Sequence, residues 1–211
     1  KFNKRLININ PLSFSKKMYF GPNWYPYPKD FFLKKKNKLF KKKYTLLIIQ
    51  GATDAFDNLK KILRCVNYLN IKKIEKCIVK RSNNYKINTN RLKSIKINKI
   101  FKVKNISSIL KNCDLVITGC GNFALETAFF GIPGVYVSSE KTEVERGKAF
   151  QKKGLGKFFS PNDYRGIAKE LNKLSNDYNY YKKIRNKKLK LFRKNGLTNI
   201  TNLIKQYIYA N

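Results

Sequence analysis

Residues 116–137 read VITGCGNFALETAFFGIPGVYV. An apolar run enters a glycine-rich bend at Gly119 and Gly121. A helical segment with a single carboxylate, Glu126, comes next, and Gly131-Ile132-Pro133 then leads into a second apolar run. Strand, glycine bend, helix and strand in this order form one turn of a parallel α/β sheet.

The same alternation extends in both directions. YTLLIIQ (44–50) is an unbroken apolar run of strand length, as expected for a strand covered on both faces. GATD follows it, then a helical stretch from about 56 to 68 with apolar residues at Leu59, Ile62, Leu63 and Val66. IEKCIVK (74–80) and IKINKIFK (95–102) read as strands, and NISSILKN as a short helix with Asn105 as N-cap. CDLVITG and PGVYVS are strands on either side of the helix NFALETAFFG. TEVERGKAFQKKG is expected to be a helix opened by a capping box, Thr142 with Glu145, and closed at Gly154. LGKFFS is a last short strand, and three helices fill about 163–175, 177–195 and 198–209. The fold class is therefore α/β, a Rossmann-like parallel sheet with helices on both faces and helices at its C-terminal end. It spans 44–211. Residues 1–43 form a basic, irregular connecting arm, whose Pro22, Pro26 and Pro28 exclude a regular helix and whose aromatics suit a segment laid on a surface.

The chain has 211 residues, 42% of them hydrophobic, enough for one substantial core. It opens on Lys1 with its first strong strand near Leu46, so an amino-terminal portion is expected to precede it. Its Cys65, Cys77, Cys113 and Cys120 lie far apart in apolar runs, and there is no histidine. No metal is expected, and reduced core cysteines fit a cytoplasmic protein. The 47 Lys and Arg against 12 Asp and Glu give a formal net charge of +35. That charge would attract any polyanion. It is scattered through every segment, however, with no nucleic-acid-binding signature, so no specific nucleic acid is expected.

Two glycine loops stand where ligands sit in such sheets, beyond the carboxyl ends of strands. In the first, Gly51 allows a sharp turn, Ala52 is small, and Thr53 and Asp54 can cap the helix. In the second, Gly119 and Gly121 allow close approach of a ligand, and Asn122 offers an amide at the helix start. Backbone N–H groups and the positive helix end favour phosphate there. Glu126, one turn below, can accept two hydrogen bonds from a ribose diol. Alternatively, it merely complements the helix dipole.

These residues resemble those of nucleotide-sugar enzymes with the GT-B fold. QGATDAFDNLKKIL is similar to their GGSDPxNLT loop, and CDLVITGCGNFALETAFFGIPGVYV to their DLxIxAGGSTxWExxxLGxP segment. YFGPNWYPYPKDFF resembles the LLGPxYAPLRxEF stretch that leads into the C-terminal domain of the UDP-sugar hydrolases of pseudaminic acid biosynthesis. The family 28 glycosyltransferases are more distantly similar. The resemblance covers about residues 19–160 and implies one half of a GT-B fold that binds a UDP-sugar, with no cofactor. Gly51, Ala52, Thr53 and Asp54 would line the diphosphate, with Gly119, Gly121 and Asn122 beneath it. Glu126 would hold the ribose, and residues 100–104 the uracil. Thr142 and Glu143 stand at the family's Asn-Gln pair, where Glu143 adds repulsion to a diphosphate that Lys141 and Arg146 can offset. The hydrolases' catalytic histidine belongs to an amino-terminal domain, so the catalytic half is expected to be missing here or supplied elsewhere.

Two other readings stay open. One is a basic module for nucleic acid or an anionic membrane surface, resting on the helix DYNYYKKIRNKKLKLFRK, whose Tyr178, Tyr181, Ile184 and Leu191 share a face. On that reading the protein would sit peripherally at the inner face of the membrane. The other is a remnant with only a structural role.

Overall fold

The structure is a computed structural model that describes residues 9–10, 19–32, 42–51, 54, 56–70, 72–80, 96–100, 105–192 and 195–209. Its centre is a six-stranded, wholly parallel sheet made of β3 (Tyr44–Ile49), β4 (Ile74–Lys80), β5 (Lys96–Ile100), β6 (Leu115–Thr118), β7 (Gly134–Val137) and β8 (Lys157–Phe159). The spatial order is β5-β4-β3-β6-β7-β8. The winding direction reverses between β3 and β6, which makes a crevice at their carboxyl ends. The stretch expected to be irregular before residue 44 contains a two-residue parallel pair, β1 (Ile9–Asn10) with β2 (Tyr19–Phe20), and 3-10 turns at Pro22–Trp24 and Lys29–Phe32.

Alternation along the strands explains the unbroken apolar runs. Leu46, Ile48, Leu115, Ile117, Val135 and Val137 face one layer. That layer consists of α1 (Asn58–Ile62), the 3-10 helix Leu63–Tyr68 and α5 (Tyr164–Asn176). Leu47, Ile49 and Val116 face the other, formed by α2 (Ile106–Asn112), α3 (Asn122–Phe129) and the arm residues Tyr27 and Phe31. Next to them α4 (Lys141–Lys152) packs Phe150 on Tyr136. The central strands β3, β6 and β7 are buried on both faces, so neither phase of their period-2 pattern is exposed.

Two details differ from the sequence expectation. The helix read over 56–68 is α-helical only to Ile62 and then tightens into a 3-10 helix. Its apolar residues recur at both three and four, as in Leu59, Ile62, Leu63 and Val66, so either winding buries them. The helix after β7 is not opened by a Thr142–Glu145 capping box. It starts at Lys141 with Glu140 as N-cap, whose longer side chain reaches both the Thr142 N–H (3.0 Å) and the Glu143 N–H (2.8 Å), while Glu145 is exposed.

The arm and the C-terminal helices hold one end of the domain. Tyr27 and Phe31 pack at a tilt against Phe129, with ring centroids 4.4 and 5.4 Å away. The N-terminal end of α7 (Gly196–Tyr209) is tied to the arm by Gly196 N–H to Tyr25 O (3.0 Å) and Asn199 to Asn23 O (2.9 Å). α6 (Tyr178–Phe192) buries Tyr181 and Ile184 in one core and Phe192 in another, and Leu191 packs beside Phe192. The face read as a membrane-binding surface is thus mostly spent on packing, although Tyr178 is exposed. Among the described residues, no helix is long and apolar enough to cross a membrane.

Candidate functional site

The crevice is assembled by register. Ile49 pairs with Thr118, so β3 and β6 end together and the two glycine loops leave the sheet side by side. Gln50 closes the gap between them. With its amide oriented to satisfy both ends, it donates to Val137 O (3.2 Å) and accepts from Gly119 N (3.3 Å). Ser139, after β7, donates to Asn58 Oδ1 (2.9 Å) at the start of α1. Three strand ends are therefore joined at one mouth.

The first loop completes itself. Gly51 has φ +34° and a Cβ there would meet nothing within 4 Å, so the backbone conformation, not space, calls for glycine. Asp54, at φ 48° and buried, turns its carboxylate onto the helix it precedes. Oδ1 accepts from Asn58 N (3.0 Å) and Oδ2 from Leu59 N (2.9 Å). Burial raises its carboxyl above the usual range, against the pull of those two N–H groups. Both oxygens accept from the first N–H groups of α1, so Asp54 holds the N-terminal end of that helix. Ala52 and Thr53 lie outside the described residues, as do 101–104 of the segment expected to meet the base.

The second loop is completed from elsewhere. Glu143, one turn into α4, places Oε2 3.1 Å from Cys120 N, which donates to it. The carboxylate lies across the loop, Oε2 3.1 Å from where a Cβ on Gly119 would stand and Oε1 3.1 Å from one on Gly121. Gly147, one turn further along, permits this approach, since a Cβ there would press into Phe158 and sit 2.8 Å from Cys120 Sγ. Because Glu140 already caps α4, Glu143 is left to serve the N-terminal end of α3, where a negative charge is favoured. Asn122 is exposed at the start of α3. Thr142 is exposed too, and its hydroxyl donates to Glu140 Oε2 (2.6 Å). Arg146 lies within electrostatic reach of both Glu140 and Cys120.

Glu126 sits in the second turn of α3, beneath this loop, and its side chain meets the arm. Tyr25 donates its hydroxyl to Glu126 Oε1 (3.1 Å). Glu126 Oε2 is sealed from solvent and finds no hydrogen-bond partner among the described residues; the same holds for Thr118 Oγ1 at the tip of β6. Burial pushes the Glu126 carboxyl up to about 7, the Tyr25 bond opposes this, and Asp30 adds to it. Tyr25 is itself raised, by burial first and the neighbouring carboxylate second. Sequence reasoning did not find Tyr25 or Gln50. The WYPYP stretch of the arm was the available signal for Tyr25, but its target lies 101 residues away. Among the described residues no group of three or more Cys, Asp or Glu side chains could hold a metal.

No family model and no curated protein matches the chain. Solved structures do resemble it. The spinosyn forosaminyltransferase SpnP superposes with a TM-score of 0.59 at 14% identity, over 92% of this chain and 52% of that one. MurG of Acinetobacter baumannii gives 0.60 at 12% identity over 78% and 50%. Glycosyltransferase SsfS6 of Streptomyces sp. SF2575, complexed with thymidine diphosphate, gives 0.57 at 17% identity over 95% and 51%. The fold is therefore α/β and Rossmann-like, and it matches about half of each of these glycosyltransferase structures. The chain spans about half the length of the structures it matches.

Proposed function

We propose that this chain is the nucleotide-sugar-binding half of a GT-B enzyme that cleaves or transfers a sugar from a UDP-sugar. The observation that carries the reading is the 119–121 loop at the switch point of the sheet. Its backbone already holds a carboxylate at Cys120 N, so the seat accepts an oxyanion. A diphosphate would lie across that loop, and Glu126 would take the ribose once the Tyr25 contact yields. The loop N–H groups and the N-terminal end of α3 would then neutralise the diphosphate as it leaves the anomeric carbon.

Thymidine diphosphate in the SsfS6 complex supports a pyrimidine nucleotide. Hydrolysis of the pseudaminic-acid-pathway type and family 28 transfer remain the two forms of this proposal. Either needs a general base from a second, amino-terminal half. The enzyme would act in the cytoplasm, and a weak association with an anionic membrane surface would follow from its positive charge.

Calorimetry tests the reading. UDP is expected to bind at micromolar to millimolar concentration, with Glu126→Ala weakening it by about 1–3 kcal/mol through lost charge-assisted hydrogen bonds. Equal affinity of the two proteins would remove Glu126 from the site, and no UDP binding beside tight, salt-sensitive RNA binding would replace the proposal with the basic-module reading.

A further inference from the structure

The second loop holds an anion that belongs to the chain itself. Glu143 is not needed to cap its own helix, because Glu140 accepts from both Thr142 N and Glu143 N. It reaches instead across 23 residues to Cys120 N and lies over Gly119 and Gly121, where an added Cβ would stand 3.1 Å from its oxygens. This is the place where a ligand's phosphate would use the same N–H group and the same helix end. Two anions within about 4 Å repel strongly in a partly dry site, so they cannot share the seat.

We infer that Glu143 is a specificity-determining residue of the mouth: its carboxylate occupies the phosphate seat of the 119–121 loop, and a diphosphate ligand binds only by displacing it. The inference rests on the reading of this mouth as a nucleotide site, and it adds a selection rule to it. Ligands that place no phosphate on the loop meet no competitor. Ligands that do must expel Glu143, which can swing from the loop toward solvent and Arg146 without unwinding α4, because the helix cap is Glu140.

The test compares wild type, Glu143→Gln and Glu145→Gln by calorimetry at fixed, near-physiological salt, with inorganic pyrophosphate, UDP and uridine as probes. Glutamine keeps the size of the side chain and an acceptor for Cys120 N, so the fold is retained and only the charge is lost. Glu145 is exposed on the same helix and controls for the general change in charge. Glu143→Gln is expected to bind pyrophosphate and UDP about tenfold more tightly than wild type. Uridine should be unaffected, and Glu145→Gln should stay within about twofold for every probe. The inference is overturned if Glu143→Gln gains nothing for pyrophosphate, including the case in which neither protein binds it, or if Glu145→Gln gains as much. Should pyrophosphate respond as expected while UDP binds no better than pyrophosphate, the role of Glu143 stands and the nucleotide reading falls.

Discussion

The two ends of the sheet are held together by different means. At the amino-terminal floor, side chains from α6 bond to backbone carbonyls of the turns they cover. Lys188 donates to Ile132 O (2.8 Å), Arg185 to Phe130 O (3.4 Å) and Gly131 O (3.3 Å), and Tyr181 to Asp114 O (3.3 Å). Asp114 in turn accepts from Thr45 N (3.0 Å). At the carboxyl-terminal mouth, the links run instead through carboxylates: Asp54 onto α1, Glu143 onto the α3 loop, Glu126 onto the arm. A chain with 47 basic and only 12 acidic residues thus places several of its few acids at one opening. Helix N-termini point there, which explains Asp54 and Glu140. They also account for Glu143, which sits on the start of α3 rather than of its own helix, but not for Glu126, which reaches the arm from the second turn of α3. The floor is closed through backbone carbonyls and the mouth through carboxylates, and on the proposed function a ligand would replace Glu143 and the Tyr25 contact of Glu126.

The largest expected effect tests the floor. Lys188 is fully buried, its ammonium 5.1 Å from the centre of the Tyr136 ring, and burial pushes its pKa down to about 7 from 10.5. A depressed folded value means that stability is full above pH 10.5 and is lost as pH falls toward 7. The loss is on the order of 5 kcal/mol by that shift. Lys188→Met should remove this dependence, so its stability relative to wild type, read by urea unfolding, should rise steadily between pH 10 and pH 7 (about 2–5 kcal/mol at the low end). A constant difference across that range would mean the amine is charged in the folded protein.

Glu126 gives the opposite slope at the mouth. Its folded value of about 7 lies above the ordinary 4.5, so stability is highest below pH 4.5 and declines as pH rises to 7. Glu126→Gln should abolish a decline of roughly 3 kcal/mol, which unfolding curves at several pH values would show. Asp54→Ala should cost about 2 kcal/mol at neutral pH through two lost charged caps, measured by the shift in unfolding midpoint. The smallest effect is that of Tyr25→Phe. Losing the hydroxyl should change stability by about 1 kcal/mol or less and move the Glu126 titration further up, since that bond holds it down. A downward movement in the carboxyl NMR titration would show that Tyr25 acts in another way.

The centre of the sheet was legible because β3, β6 and β7 are buried on both faces and read as continuous apolar runs; IEKCIVK, with polar Glu75 and Lys76, still coincides with β4 residue for residue. Asn105 was legible as a cap because capping is local, and its Oδ1 does accept from Ser108 N (3.0 Å). The two glycine loops were found from composition alone. Their partners were not. Spacing along one helix could not reveal that Glu143 serves a loop 23 residues earlier, or that Glu126 meets Tyr25 across 101 residues. The start of α4 was misplaced for a related reason, because glutamate can cap with a longer reach than the Thr142 the pattern suggested.

The contrast between floor and mouth can be read in one titration of isotope-labelled protein with UDP, following backbone amides. Shifts concentrated at Gly119, Cys120 and Gly121, with Asp114, Ile132 and the α6 amides unmoved, are the predicted result. Small shifts spread over lysine-rich surfaces, or shifts centred on the floor, would contradict the account and leave only the attraction of a basic protein for an anion.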